Sequence, residues 1–342
     1  MTNIINQNKK NIYLLNWLYS SLFLVASLIF VGGLTRLTES GLSITHWELF
    51  TGIVPPFNED QWEKYFSLYK KIPQYKEINF GMSLIEFKFI FWWEYIHRLL
   101  ARLASLVFFL PFLYFLIKRF FSYREIIIYS VIASLFFFQG FLGWYMVKSG
   151  LTLNTDVSHF RLSAHLLTAQ IILSLIFFSI LTRELKKIRL NSYSYLVLFF
   201  LLLVFFQIAI GAFVSGLDAA KIYQTWPLMN GHFVPEDILV KEFINLKSYS
   251  SPSHMQFLHR IIAYSLILIF SFLFYFLLKK KIVNPKYLFI VLIAMFLQAS
   301  LGVFVLVSGF KIYVASLHQL GSVFLLFSII YLFYQVSVSK KY

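Results

Sequence analysis

Eight long apolar segments constrain this chain more than any other feature of its sequence. They occupy residues 12–33, 92–117, 126–147, 160–181, 193–215, 255–278, 287–307 and 313–335. A helix needs roughly 20 apolar residues to cross a bilayer, and each segment is long enough. A backbone in lipid must satisfy its own hydrogen bonds, and these segments are uniformly apolar rather than alternating, so we expect helices and not strands. The sequence therefore predicts an all-α polytopic membrane protein.

The formal net charge of +15 is explained by membrane topology. Half of the 30 basic residues fall on one side of an eight-span arrangement, in the terminal segments and in the loops that follow the even-numbered spans. These residues are Lys9, Lys10, Lys118, Arg119, Arg124, Arg183, Lys186, Lys187, Arg189, Lys279, Lys280, Lys281, Lys286, Lys340 and Lys341. The positive-inside rule then places both termini in the cytoplasm. A nucleic-acid partner is disfavoured, because the basic clusters are scattered over separate loops.

The chain has no cysteine, which excludes disulfides, thiolate ligands and iron–sulfur clusters built from its own side chains. The N-terminal segment MTNIINQNKKN is too short and too polar for a cleaved signal peptide. We therefore expect the first apolar segment to remain as a membrane helix.

An internal repeat is visible in the sequence. The segment 138–150 (FQGFLGWYMVKSG) matches 297–309 (LQASLGVFVLVSG) at a constant offset of 159 residues. A weaker match joins GGLTRLTE, which begins at Gly32, to GAFVSGLD, which begins at Gly211. A repeat of four spans enters the membrane twice from the same side, so the repeat is parallel.

The repeat predicts two halves, residues 1–190 and 191–342. We expect two four-helix bundles related by a pseudo-two-fold axis along the membrane normal. The first outer loop contains an amphipathic stretch, 58–69, with four aromatic residues on one stripe, and we expect this stretch to lie on the membrane interface.

Four histidines occupy equivalent places in the two halves: His97 matches His259, and His165 matches His318. Ionisable residues inside membrane spans are costly and usually functional. Within each half one histidine comes from the second span and one from the fourth, and two imidazoles from two helices are typical of axial haem ligation. A zinc site agrees less well, since four ligands at one site would leave the duplication without a role. A hydrogen-bonded core role would suit a single histidine better than four in repeat register.

Charged residues next to the histidines distinguish the halves. Arg98 and Arg260 directly follow His97 and His259, and we expect them to pair with haem propionates or a neighbouring helix, the alternative being contact with lipid headgroups. Glu94 lies three residues before His97, so the two side chains share one helix face.

The residue that corresponds to Glu94 in the second half is Gln256. One interpretation of Glu94 is a salt bridge with Arg98 or Arg102. The interpretation we favour is that the first half performs proton-coupled chemistry while the second half passes electrons.

With these motifs, the chain resembles the haem A synthase family over nearly its whole length. The matching segments are GGLTRLTESGLS (32–43), PP (55–56), NFGMSLIEFKFIFWWEYIHR (79–98), QGFLGWYMVKSGL (139–151), the segment around His165, GAFVSGLDA (211–219), WPLMNG (226–231), FLHR (257–260) and LHQLG (317–321). The absence of cysteines is similar to the cysteine-free branch of proteobacteria and mitochondria. No mitochondrial presequence is evident, which favours a bacterial inner membrane.

The resemblance implies the following roles. Haem b is held through its iron by His259 and His318. Arg98 and Arg260 are further haem-binding candidates because of their positions beside the histidines, apart from the resemblance. The substrate haem O is positioned by His97 and His165, and Glu94 matches an acidic residue that the reaction needs. The implied reaction is two successive hydroxylations of one porphyrin methyl group and loss of water, which leaves the formyl group of haem A.

The resemblance also implies partners: haem O as substrate, haem O synthase, terminal oxidase assembly factors and membrane lipid. The electron donor and a homo-oligomer are left open. The main alternative is a dihaem b-type membrane electron carrier, against which the asymmetry between Glu94 and Gln256 argues. A transporter is a third class, disfavoured by the small number of acids within the spans and the absence of a broken-helix signal.

Overall fold

The computed structural model describes residues 2–47, 51–152, 155–184, 188–238 and 245–338. Within these ranges the α-helices are α1 (Thr2–Leu37), α2 (Glu59–Tyr69), α3 (Pro73–Glu77), α4 (Leu84–Ile117), α5 (Tyr123–Gly150), α6 (His159–Glu184), α7 (Ser192–Gly216), α8 (Pro252–Lys279), α9 (Pro285–Val307) and α10 (Ile312–Val338). Strand-like pairing within the same ranges is limited to an isolated bridge between Met229 and His232. The predicted all-α class is confirmed.

Eight of these helices, α1 and α4 to α10, are long and apolar enough to cross a membrane. The protein is therefore a multi-pass membrane protein, as predicted. Large apolar side chains on these helices are exposed, for example Phe137 at 70% and Phe272 at 76%, as expected where lipid is the solvent.

Local signals set the helix starts. Asn191 caps α7 through the backbone N–H of Ser194, and Pro252 and Pro285 occupy the first positions of α8 and α9.

Helix α4 begins eight residues before the predicted span, at Leu84. The capping box of Ser83 and Glu86 starts the helix there, outside the apolar segment. The helix has 34 residues, and a helix rises about 1.5 Å per residue. Because a span needs only about 20 residues, the N-terminal turns of α4 extend beyond the span.

Helix α2 lies against this N-terminal extension of α4. Trp62 and Phe66 on α2 are buried against Phe87 and Phe91 of α4, with ring centres of the Phe66–Phe87 and Trp62–Phe91 pairs both 4.9 Å apart. The surface that covers this aromatic stripe is therefore protein rather than lipid, and the position of the stretch at the membrane interface stays a prediction. Burial also raises the pKa of Tyr69, at the end of the same stripe, to about 12.

The chain forms two compact units, Met1–Leu173 and Ser174–Tyr342, with the boundary inside α6. In the first unit α1 packs along α4, and the indole N–H of Trp17 donates to the carbonyl oxygen of Phe108 at 3.2 Å. In the second unit α7 packs against α8 and α10, while α9 packs along α10. These units are defined by packing, so the functional division at residue 190 and the pseudo-two-fold axis stay predictions.

Candidate functional site

In the second unit, the imidazoles of His259 on α8 and His318 on α10 lie close together. Their ring centres are 6.4 Å apart, and the ring planes are inclined by 82°. Two metal–imidazole bonds of about 2 Å, on opposite sides of one metal ion, would place the ring centres roughly 6 to 6.5 Å apart. The two rings therefore have the separation that two imidazole ligands of one iron would need.

The hydrogen bonds of these two rings are unequal. Nδ1 of His318 lies 3.2 Å from the carbonyl oxygen of Gln298, so an Nδ1–H donor leaves Nε2 available for a metal. Nδ1 of His259 is buried and has no hydrogen-bond partner among the described residues. An unsatisfied buried nitrogen is unfavourable unless a ligand satisfies it, and a metal ion would do so.

In the first unit, the corresponding histidines are His97 on α4 and His165 on α6. Nδ1 of His165 is buried and, within the described part of the chain, has no hydrogen-bond partner. The structure thus brings together the imidazoles of His259 and His318, and it places His97 and His165 on the two corresponding helices of the first unit.

Each of the four imidazoles lies against a glycine of the preceding membrane helix. A Cβ atom added to the glycine would meet the imidazole at a distance that is too short for an ordinary contact. The pairs are Gly32 with His97 (2.9 Å), Gly143 with His165 (3.2 Å), Gly211 with His259 (3.0 Å) and Gly302 with His318 (3.0 Å). We call these four glycines the glycine notches. They leave the space that each ring occupies between two close helices.

Glu94 lies where α4 meets the loop that follows α1, and it is only 3% exposed. Its Oε2 accepts from the hydroxyl of Ser43 (2.7 Å) and the backbone N–H of Ile44 (2.8 Å). Its Oε1 accepts from Nε (3.1 Å) and Nη2 (2.5 Å) of Arg98. The guanidinium of Arg98 also donates to the carbonyl oxygen of Ile44 at 2.9 Å. The salt bridge with Arg98 that the sequence offered as one interpretation is confirmed, and it belongs to a network that holds the loop on α4.

The second unit has a related network with the opposite polarity. Gln256 Nε2 and Arg260 Nη2 both donate to the carbonyl oxygen of Tyr223, at 2.9 and 3.2 Å. In the repeat register that matches Gly32 to Gly211, Tyr223 corresponds to Ile44. The same loop position is therefore bound in both units. The carboxylate accepts from its backbone N–H in the first unit, and the amide donates to its carbonyl in the second.

The loop residues in these networks, Ser43, Ile44 and Tyr223, were not among the candidates from sequence. Their only signal is the weak match between the segments that begin at Gly32 and Gly211. That match places Ile44 and Tyr223 in register, but it does not indicate which backbone groups face the helix.

The two arginines that follow the histidines differ in what they bind. The guanidinium of Arg98 donates hydrogen bonds to Glu94 and to carbonyl oxygens of the loop that follows α1. Arg260 is 8% exposed, and its Nε and Nη1 have no hydrogen-bond partner among the described residues. A buried guanidinium with two unused donors beside His259 fits a carboxylate ligand such as a haem propionate. Further along the first unit, Arg161 donates to the carbonyl oxygen of Tyr145 at 2.6 Å.

The remaining histidines lie outside these pairs. His254 lies in the first turn of α8, which begins at Pro252, and is 3% exposed. His46 and His232 are exposed, and His159 begins α6. Across the described ranges, no three histidine, aspartate or glutamate side chains are grouped as a metal-ion site.

Taken together, the residues present fit a haem in each unit. Each unit supplies two imidazoles from two helices, a buried ring nitrogen that has no partner within the described ranges, and glycine notches behind the rings. The second unit adds the guanidinium of Arg260, of which Nε and Nη1 have no partner among the described residues and are available to a carboxylate. The sites differ chiefly in the acid of the first unit and the amide of the second.

Comparison with known proteins agrees with this geometry. The model of the COX15-CtaA family, described as cytochrome oxidase assembly protein, matches residues 15–330. The chain belongs to the COX15-CtaA family. The family match extends over both histidine pairs and Glu94, and the family predicted from the sequence is confirmed.

Several relatives that share most of the chain have the name heme A synthase. The protein of Pelagibacter ubique is 49% identical over 328 residues, which cover 95% of this chain and 97% of that protein. The protein of Rickettsia bellii is 43% identical over 327 residues, 93% of this chain and 96% of its own. The protein of Rickettsia felis is 40% identical over 332 residues, 94% and 98% of the two chains.

Proposed function

We propose that this protein is a haem A synthase, an oxidoreductase that converts the porphyrin methyl group of haem O to the formyl group of haem A. The relatives' name and their near-complete coverage support this activity. The observation that carries it in this chain is the inequality of two otherwise equivalent histidine pairs. Among the residues that the structure describes, only the pair in the first unit has a buried carboxylate, Glu94, on the same helix face as one of its histidines.

The second unit is the site of the resident cofactor, haem b, which His259 and His318 would hold through its iron. The spacing of 6.4 Å between the ring centres supports this assignment. When bound, haem b supplies a one-electron redox centre. The bond from His318 Nδ1 to the Gln298 carbonyl orients that ring, and the unused donors of Arg260 are available to a propionate.

The first unit is the site of the substrate, haem O, positioned by His97 and His165. Glu94 is one helical turn from His97, and its four hydrogen bonds hold it in one place. A fixed carboxylate at this position can stabilise positive charge or direct a proton during oxidation of the methyl group. The reaction consists of two hydroxylations of the same carbon, followed by loss of water. The net change from methyl to formyl is a four-electron oxidation, so it requires an external oxidant in addition to the residues of this chain.

A dihaem electron carrier is the second candidate. The ion pair of Glu94 with Arg98 favours it, because that pair gives the acid a structural role without any chemistry. In a carrier, each histidine pair would permanently hold its own haem, and both haems would be of the same type.

Pigment extraction from purified protein, followed by mass spectrometry, separates the two candidates. A haem A synthase expressed together with a source of haem O is expected to contain haem B together with haem O and haem A. A carrier would contain haem B alone, and that result would overturn the assignment.

Variants of the histidines test the division of labour. We expect His259→Ala and His318→Ala to lose the low-spin haem b spectrum, while haem O still binds to the first unit. We expect His97→Ala and His165→Ala to keep that spectrum and to lose haem O. A haem b spectrum that is unchanged in His318→Ala would contradict the site.

The cellular setting follows from the same proposal. We place the protein in the bacterial inner membrane, with both termini in the cytoplasm and the histidine pairs towards the outer face. Haem O synthase and terminal oxidase assembly factors are the partners that would deliver the substrate and receive the product.

A further inference from the structure

Three of the four histidines have their backbone carbonyl bound by a glutamine of the preceding helix. Each glutamine lies four residues before the glycine notch that receives the same histidine's ring. The bonds from glutamine Nε2 to the carbonyl oxygen are Gln139 to His165 (3.0 Å), Gln207 to His259 (2.9 Å) and Gln298 to His318 (3.0 Å).

The spacing of these residues has a direct physical meaning. Residues four apart lie on the same helix face, one turn above the other. The glutamine therefore binds the backbone of the histidine helix while the glycine admits the imidazole, so each histidine is held at two points. Together the two contacts set the height and the rotation of the ligand helix relative to its neighbour. We call this arrangement the glutamine–glycine clamp.

The fourth histidine has only half of the clamp. Gly32 on α1 receives His97, but the residue four positions before it is Leu28. In the repeat register of Gly32 and Gly211, Leu28 corresponds to Gln207. Leucine has no N–H to donate, and across the part of the chain that the structure describes no side chain donates to the His97 carbonyl.

We propose that Gln139, Gln207 and Gln298 are positioning residues, and that Leu28 makes His97 the releasable ligand of the first unit. This inference rests on the proposed function. A haem A synthase must take up haem O and release haem A in each cycle at one site, and must keep haem b at the other. The complete clamps on His259 and His318 suit retention. In the first unit, the clamp on His165 fixes one ligand, and exchange of the substrate haem takes place through movement of His97.

The sharpest test adds the missing donor. In the full-length purified protein, Leu28→Gln is compared with Leu28→Met, which has a similar size but no donor. A single hydrogen bond of ordinary strength corresponds to about a fivefold change in an equilibrium or rate constant. We expect Leu28→Gln to slow the transfer of haem O and haem A from the protein to a haem-free acceptor protein about fivefold, with KM and kcat for haem O both lowered. Leu28→Met should match the unaltered protein.

The reverse test removes a donor. Gln298→Met keeps the length of the side chain and loses the N–H that binds the His318 carbonyl. We expect haem b to leave this variant about fivefold faster, with a changed low-spin spectrum and no change in the rate of haem O transfer. Gln139→Met should show the opposite pattern, with faster loss of haem O and an unchanged haem b spectrum.

The outcomes separate this inference from the proposed function. If Leu28→Gln and Leu28→Met release haem at the same rate, the releasable-ligand inference is overturned. If Gln298→Met loses haem b at the same rate as the unaltered protein, the positioning role of the glutamines is overturned. If His165→Ala leaves haem O binding intact, the proposed substrate site itself is wrong.

Discussion

Among single residues, Glu94 has the most demanding surroundings, because a buried carboxylate must have its charge and its hydrogen bonds satisfied. Glu94→Gln keeps the shape but removes the charge that Arg98 pairs with. We expect haem to remain bound and conversion of the methyl group to fall at least about 100-fold, the usual size of an acid–base contribution. Product haems extracted from purified protein give the measurement. Glu59→Gln, in an exposed acid of α2, is the matched control, and a normal yield of haem A in Glu94→Gln would refute the catalytic role.

Ser43 makes a second residue-scale prediction. Its hydroxyl donates to the same carboxylate oxygen as the backbone N–H of Ile44. Loss of one hydrogen bond to a charged group is expected to lower turnover roughly tenfold in Ser43→Ala, while haem content is retained. Ser67→Ala is the control, since that exposed hydroxyl bonds only to the Lys64 carbonyl within α2. Equal turnover in the two variants would show that Ser43 does not position Glu94.

Among the helices, the glycine notches decide how closely the histidines approach their neighbours. A Cβ at residue 302 would lie 3.0 Å from Cε1 of His318, whereas a Cβ at residue 140 meets nothing within 4 Å. We expect Gly302→Ala to displace the imidazole and to reduce the low-spin haem b absorbance of the purified protein. Gly140→Ala should keep full absorbance, and its helix gains roughly 1 kcal/mol in intrinsic propensity. Similar haem b content in both variants would contradict the close contact.

For the whole molecule, the eight spans and the distribution of lysine and arginine predict which loops are cytoplasmic. The natural absence of cysteine allows single cysteines to report on this directly. We expect Asp60→Cys, in the first outer loop, to react with a membrane-impermeant maleimide on spheroplasts, where the outer membrane no longer limits access. Arg119→Cys, between α4 and α5, should react only after the membrane is disrupted. Labelling of Arg119→Cys from outside would invert the topology.

The sequence by itself determined the number of spans, their helical state, the family and the four histidines. These features depend on local composition or on a repeat whose spacing survives in the chain, so no knowledge of packing is needed to see them. The pairing of His259 with His318 was also accessible, because the repeat supplies one histidine from each of two helices.

Only the tertiary structure decided what surrounds those histidines. Ser43 and Ile44 reach Glu94 across about 50 residues of chain, and Tyr223 reaches Arg260 across 37. Such contacts leave no periodic signal, since they depend on how irregular loops fold back onto helix starts. The aromatic stripe of α2 shows the same limit. Amphipathic spacing predicts that one face is covered, but only packing decides whether lipid or α4 covers it.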